Sequence, residues 1–237
     1  MIHKFFDSKT KFSIDVIGCI SNPQTIVYQA MHQCYSSDDV SRVNMSEKAC
    51  GEAAVKRLLS GNRGHFGCLE HPQIVINANY NHTVLQQLRT HRVGVSFDVQ
   101  SFRYTELADV TLDNIDDVVY LRPNGEYNSR DGKYEYSGYE RQKKYVYTSI
   151  RKYKGLIEEG VAPEHAREIL PYCIRQKFVM SGNLRSFLHI VDLRSKPNTQ
   201  LETMMFSDAL FGLMLEWCPE ICGWYRDNRY KKARLSP

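Results

Sequence analysis

No stretch of this 237-residue chain approaches the ~20 consecutive apolar residues of a membrane-spanning helix. The start, Met1 to Asp7, lacks the long apolar run and small-residue cleavage site of a signal peptide. No membrane association is therefore expected, and the cytoplasm is the expected compartment. The seven cysteines, at 19, 34, 50, 68, 173, 218 and 222, form no CxxC pair and no zinc-type spacing. Neither a metal site nor a disulfide framework is expected, and reduced thiols are the simplest account. Internal repeats, low-complexity tracts and a convincing linker are absent, as is the glycine-rich fingerprint of a dinucleotide-binding βαβ unit.

What is present is ordinary in bulk. The 42% apolar and 24% charged content exclude disorder, and a chain of this length buries roughly 70% of its unfolded surface without staples. Residues 1–237 read as one domain. The net charge of +4 suits anionic small molecules or modest nucleic-acid contact without choosing between them.

The apolar pattern mixes strands and helices without regular βαβ alternation. That predicts an α+β fold, a central and mostly antiparallel sheet flanked by helices. Lys11 to Ile20 and Gln73 to Tyr80 alternate as strands, the second with Ile74, Ile76, Ala78 and Tyr80 on one face. Phe97 to Tyr104 reads as extended and 116–121 as a further strand, while Pro123 to Gly138 reads as a long loop. Helices are predicted from Asn22-Pro23 to Gln33, from Ser46 to Leu59, from Asn81 to about His91 and from Tyr139 to Glu159. A short helix follows from Pro163 to Pro171, then two apolar ones over 183–195 and 199–218, and a basic tail after Trp224.

The chemistry concentrates between Gln86 and Tyr104. Arg89, Arg92, Arg103 and His91 lie there, and Asp98 is the only carboxylate between Arg89 and Arg103. A merely solvated helix face intersperses acids at i,i+4 spacing to offset repulsion. Guanidinium forks without acids suit phosphates and a planar heterocycle, so an anionic ligand is expected to supply the missing charge. Gln86 and Arg89 share one helix face, and an extended 97–104 segment puts Ser101 and Arg103 on one side. All four would then converge on one ligand. Ser101 has no His–Asp pattern around it, so positioning suits it better than nucleophilic attack.

A second run, Asn183 to Arg194, carries a buried stripe of Leu184, Phe187, Leu188 and Val191 beside a polar face of Arg185, His189 and Asp192. On composition alone, that polar face is as well explained by simple solvation.

These stretches resemble the flavin-dependent thymidylate synthases. The family signature is Arg-His-Arg, seven or eight residues, Ser, then Arg-Tyr two positions on. Here it reads Thr90-His91-Arg92, eight residues, Ser101, Phe102, Arg103-Tyr104. Asn183-Leu184-Arg185-Ser186 with Leu193-Arg194 is similar to the family's Asn-x-Arg-Ser…Leu-Arg, and Ala166-Arg167…Leu170-Pro171 to its Ala-Arg-x-x-Leu-Pro. Gly64-His65…Glu70-His71 is similar to its Gly-His-x-x-x-x-Glu-His. The triplet departs from the family at its first position. Either Thr90 replaces that arginine, or Thr90 is inserted and Arg89 supplies the guanidinium; helical spacing with Gln86 favours the second.

The resemblance implies a methyltransferase that carries out reductive methylation of dUMP to dTMP. Methylenetetrahydrofolate would donate the carbon, and NADPH would reduce FAD, the hydride source. Gln86, Arg89, Gln100, Ser101, Phe102, Arg103, Arg167 and Arg194 would bind dUMP, with Arg194 and Ser101 at the reacting ring. Gly67, Glu70, Arg89, His91, Arg92, Val99, Asn183, Leu184, Arg185 and His189 would hold FAD, and His65 would lie at the folate and nicotinamide end. Gly67 stands where relatives often carry a hydroxyl, so its contact would be through backbone. The resemblance also implies a homotetramer with shared active sites. The other thymidylate synthase class uses a cysteine in a Pro-Cys-His setting, and that tripeptide does not occur here.

A binding module is the competing class. Fifteen tyrosines and the basic tail (Arg226, Arg229, Lys231, Lys232, Arg234) are compatible with single-stranded nucleic acid. A frayed, solvated tail and half-buried tyrosines explain the same residues more simply, so no nucleic-acid partner is expected.

Overall fold

The computed structural model describes residues 4–105, 107, 110–129 and 132–232. Its strands are β1 (Lys4–Phe6), β2 (Ser13–Cys19), β3 (Gln73–Asn81), β4 (Val95–Val99), β5 (Gly125–Ser129), β6 (Gly132–Tyr136) and β7 (Arg175–Asn183). The helices are α1 (Pro23–Gln33), α2 (Glu47–Ala54), α3 (His82–Leu88), α4 (Tyr139–Glu158), α5 (Pro163–Ala166), α6 (Leu184–Arg194), α7 (Leu201–Trp217) and α8 (Pro219–Asn228). Five strands form an antiparallel sheet in the order β1-β2-β3-β7-β4, and β5-β6 form a separate hairpin. The fold is the expected α+β arrangement.

β3 is a strand because its alternation buries one face: Ile74, Ile76, Ala78 and Tyr80 are each at most 1% exposed. It pairs along its whole length with β7, from Gln73 opposite Asn183 to Asn81 opposite Arg175. Each of these two strands ends in an asparagine that caps the next helix. Asn81 Oδ1 accepts from Val84 N, and Asn183 Oδ1 accepts from Ser186 N at 2.8 Å. α3 and α6 therefore spring from opposite ends of the β3–β7 pair. α6 buries Leu184, Phe187, Leu188 and Val191, as its spacing predicts, against α7, which is buried on most sides. Each such side chain contributes about 1.5–3 kcal/mol of burial.

Several expectations need correction. The 116–121 segment is not a strand: a helical turn at Ile115–Asp117 leads to a single bridge, Val119 to Ile174. The 123–138 segment is the β5–β6 hairpin, although Arg130 and Asp131 lie outside the described residues. Extended structure from Phe97 stops at Val99, and 102–104 turn back. α3 ends at Leu88 rather than His91, and the helix from Ser46 widens to a π-turn at Val55–Leu59. β1, β7 and α8 were not foreseen.

Candidate active site

Three cavities sharing lining residues lie along the α3–β4 connection. The first, about 430 Å³, is lined by Arg89, Gln100, Ser101, Phe102 and Arg167, together with His82, Tyr172 and Gln176. Its floor is a polar lattice anchored on β7. The Gln176 amide donates to Gln100 O at 3.2 Å, its Oε1 meets His82 Nδ1 at 2.5 Å, and Gln100 N donates to Lys177 O at 2.9 Å. Ser101 starts the turn, with its Oγ accepting from Arg103 N at 3.3 Å. Neither Arg89 nor Arg167 makes an ion pair among the described residues, and the one carboxylate in this lining, Glu168, lies 3.9 Å from His165, so guanidinium charge outweighs acid around the cavity.

Two expected members stand elsewhere. Arg103 turns outward to Glu164 at 3.8 Å and over the Tyr104 ring, lining none of these cavities. The reason is the turn after Val99, which ends the alternation that would have aligned Arg103 with Ser101. Gln86 meets His82 Nε2 at 2.9 Å and lines the middle cavity with Arg89, Thr90, His91 and Arg92.

The second main cavity, about 580 Å³, gathers Glu70, His91, Arg92, Asn183, Arg185, His189 and Arg194. Arg185 donates to Glu70 at 2.5 Å, and the His91 and His189 rings meet edge-on at 5.5 Å. Here the C-terminal end of α6 comes back to the end of α3. Arg194 donates to His91 Nε2 (3.0 Å), Gln87 Oε1 (3.2 Å), Gln87 O (2.9 Å) and Thr90 Oγ1 (2.8 Å). All four acceptors are uncharged. Burial pulls the Arg194 guanidinium below its ordinary value. Burial, then the charge of Arg194 and the neighbouring His189, lower His91 to about 4, so it is a neutral imidazole.

In one chain, then, Arg194 does not open on the cavity of Arg89, Ser101 and Arg167. Arg89 and Val99, expected with FAD, line the first cavity. Leu184 is fully buried, Gly67 is exposed at the start of the Gly67–Glu70 turn, and His65 is exposed outside these cavities. Asp192 leaves the expected polar face: it is 6% exposed and accepts from Arg229 at 2.9 Å. Gln87, His82, Tyr172 and Gln176 were missed as site residues. Counting back three from Thr90 instead of Arg89 would have found Gln87.

No cysteine lines these three cavities. Burial raises Cys173 to about 11 and Cys218 well above the usual thiol range. No cluster of metal-ligating side chains occurs among the described residues, and no described helix is long and apolar enough to cross a membrane. Three of the tail cations are ion-paired, Arg229 with Asp192, Lys231 with Asp208 and Arg226 with Asp227; Lys232 donates to the Asp227 carbonyl, and Arg234 lies outside the described residues.

A flavin nucleotide calls for hydrogen-bond donors and positive charge, and the second cavity is rich in both. It holds Arg92, Arg185 and Arg194 against one carboxylate, Glu70, which Arg185 already engages. The N-terminus of α6 also borders it through Asn183, Arg185 and Ser186, placing the positive end of the helix dipole beside it. Such a donor-rich wall fits the phosphates and ring carbonyls of that group.

A family profile described as thymidylate synthase complementing protein matches residues 15–220. A flavin-dependent thymidylate synthase of Haloarcula marismortui is 26% identical over 248 residues, covering 94% of this chain and 99% of its own length. One from Thermosipho melanesiensis is 31% identical over 146 residues, 57% of this chain and 60% of its own. Among solved structures, a UMP/dUMP methylase, PolB of Streptomyces cacaoi, bound with 5-Br dUMP, superposes with a TM-score of 0.74 at 17% identity. That match covers 95% of this chain and 97% of the methylase.

Proposed function

This chain belongs to the thymidylate synthase complementing protein family, and from that membership we propose how its cavities perform the reductive methylation of dUMP to dTMP. It is a flavin-dependent thymidylate synthase, a methyltransferase. The observation that carries the assignment of residues is the half-buried Arg194 guanidinium ringed by neutral acceptors.

A guanidinium paired to a carboxylate has little charge left for a ligand. Arg194 is held in place by a ring nitrogen, a hydroxyl, an amide oxygen and a backbone carbonyl, so its charge stays available. That charge stabilises the deprotonated, enolate-like form of the pyrimidine, an electrostatic role of the oxyanion-hole kind. Arg89 and Arg167 hold the nucleotide phosphate, while Gln100 and Ser101 orient the nucleotide and Phe102 forms the cavity wall. Arg92, Arg185, Asn183 and His189 hold the FAD. When bound, the flavin supplies the hydride, so the protein needs no cysteine nucleophile.

NADPH as reductant and methylenetetrahydrofolate as carbon donor complete the proposed reaction, with His65 at the folate and nicotinamide side. A homotetramer would let the Arg89–Arg167 cavity of one subunit face the Arg194 cavity of another, accounting for a dUMP set divided between two cavities. The cytoplasm is the proposed setting. The test is dTMP formation from dUMP, methylenetetrahydrofolate and NADPH, with and without FAD. Activity only with the flavin supports the reading, and flavin-independent activity defeats it.

A further inference from the structure

A row of hydrogen bonds leads away from Arg194 into the protein. Gln87 Oε1 accepts from Arg194 Nη1 at 3.2 Å, and Gln87 Nε2 donates to Gln200 Oε1 at 2.6 Å. Gln200 Nε2 in turn donates to Glu202 Oε2 at 2.9 Å. Glu202 is 3% exposed and clamped by Arg122, whose Nε reaches Oε1 at 3.0 Å and whose Nη2 reaches Oε1 at 2.7 Å and Oε2 at 2.9 Å. Arg122 Nη1 ends the row on the Tyr134 hydroxyl of β6 at 3.0 Å. Gln200 precedes α7 yet does not cap it with its side chain. Gln200, Glu202 and Arg122 line neither site cavity; they border a separate one beside the hairpin.

The ends of this row fix the direction of its middle. A glutamine amide can be turned either way, and only its neighbours decide which. An ionised carboxylate accepts only, and a guanidinium donates only. Glu202 therefore requires the NH2 of Gln200, which turns the Gln200 oxygen to Gln87. Gln87 must answer with its own NH2, which turns its oxygen to Arg194. The carboxylate selects, two amides away, the carbonyl that Arg194 needs. Its charge does not reach Arg194 as a counter-ion, because Arg122 neutralises it on the spot.

We propose that Gln200 and Glu202 are positioning residues for Arg194, acting through Gln87 and setting the plane in which the guanidinium meets the pyrimidine. This rests on the reading of Arg194 as the group that stabilises the deprotonated ring. The test is Gln200→Met in the full-length flavin-loaded enzyme, with Arg194→Ala measured alongside. Gln200→Met lowers kcat roughly tenfold, the scale of one lost neutral hydrogen bond, with KM for dUMP little changed. Its kcat also recovers as the pH is raised, because the ring then loses its proton without help. A merely structural defect does not produce that alkaline recovery. If the methionine variant does not fold, Gln200→Asn keeps the amide but is too short to reach both neighbours, and it gives the same result. Unchanged kcat and pH profile, or a loss uniform across pH, in a folded Gln200 variant overturns the relay; an inactive Arg194→Ala then leaves the reading of Arg194 standing. Full activity in Arg194→Ala overturns both.

Discussion

The Nε2 of His91 lies 3.0 Å from the Nε of Arg194 and can only accept there, so neutral His91 carries its proton on Nδ1. Protonating Nε2 sets one N–H against another and adds a second positive charge beside the first. This is the local reason for the low value, about 4, of a ring already disfavoured as a cation by burial.

The first prediction follows from that value. The unfolded chain takes up this proton near pH 6.5, whereas the native state refuses it down to about pH 4. The unfolded state thus binds more protons in this window, and stability falls as pH drops from about 6.5 to 4. Above pH 6.5 the group contributes no slope. The loss is on the order of 2–3 kcal/mol. His91→Gln, which can still present an oxygen to Arg194 and does not titrate, flattens the curve of unfolding free energy against pH. Parallel curves for the two proteins exclude His91 as the cause.

Arg194→Ala is expected to lower kcat for dTMP formation by about 10²–10³-fold while the protein keeps its flavin. Arg194→Lys does not rescue it. An ammonium is a point donor and cannot meet acceptors spread around a planar fork from His91 to Thr90. Visible flavin absorbance of the purified variants, read beside their turnover, separates loss of chemistry from loss of cofactor.

Gly94 closes one wall of the second cavity with φ +68°, and an added Cβ meets Ser186 Oγ at 2.3 Å and Asn183 Nδ2 at 2.7 Å. Gly94→Ala therefore costs about 1–3 kcal/mol and weakens flavin retention, because the cap of α6 must shift. Gly61 has the same φ with nothing within 4 Å. Gly61→Ala isolates the backbone strain, and equal losses in the two variants would falsify the role given to the clash.

How much of this was legible beforehand depends on where each partner lies. β3 and α6 were readable because their own spacing places every apolar side chain on one face. β7 was not, since its first two residues, Arg175 and Gln176, are polar and yet buried. Arg175 Nε and Nη2 and the Gln176 amide donate to the backbone oxygens of Val119, Thr10 and Gln100, far away in sequence, while Arg175 Nη1 has no partner among the described residues. The hairpin escaped because four of the five β6 residues are exposed, so that strand has no buried face to read. Within the site, the clustering of arginines was legible, but their directions were not. The turn after Val99 sends Arg103 to Glu164, and Arg194 finds its acceptors about a hundred residues earlier in the chain.

The basic tail gives a prediction that separates fold from ligand binding. Asp192 and Arg229 are 3% and 14% exposed in their side chains. Arg229→Met leaves a carboxylate buried without its partner and costs about 3–5 kcal/mol, visible as a large drop in melting temperature. Were the tail a nucleic-acid surface, the same change would instead weaken oligonucleotide binding and flatten its salt dependence while the melting temperature held.

The two registers of the signature part company at Arg89 and Thr90. α3 runs without a bulge to Leu88, and Arg89 follows as its C-terminal residue with its side chain on the Ser101 cavity. Thr90 points the other way: its hydroxyl donates to Gln87 O at 2.7 Å and accepts from Arg194 at 2.8 Å. A phosphate in the first cavity gains a charged hydrogen bond from Arg89, worth about 1.5–3 kcal/mol. Arg89→Ala is thus expected to weaken dUMP binding roughly tenfold to a hundredfold. Thr90→Val keeps the shape but removes the hydroxyl that steadies Arg194, so it lowers kcat and leaves dUMP affinity nearly unchanged. Equilibrium binding of dUMP and steady-state turnover on both variants decide the matter. If Thr90→Val loses the nucleotide and Arg89→Ala retains it, Thr90 holds the place of the first signature arginine and Arg89 has no part in the phosphate site.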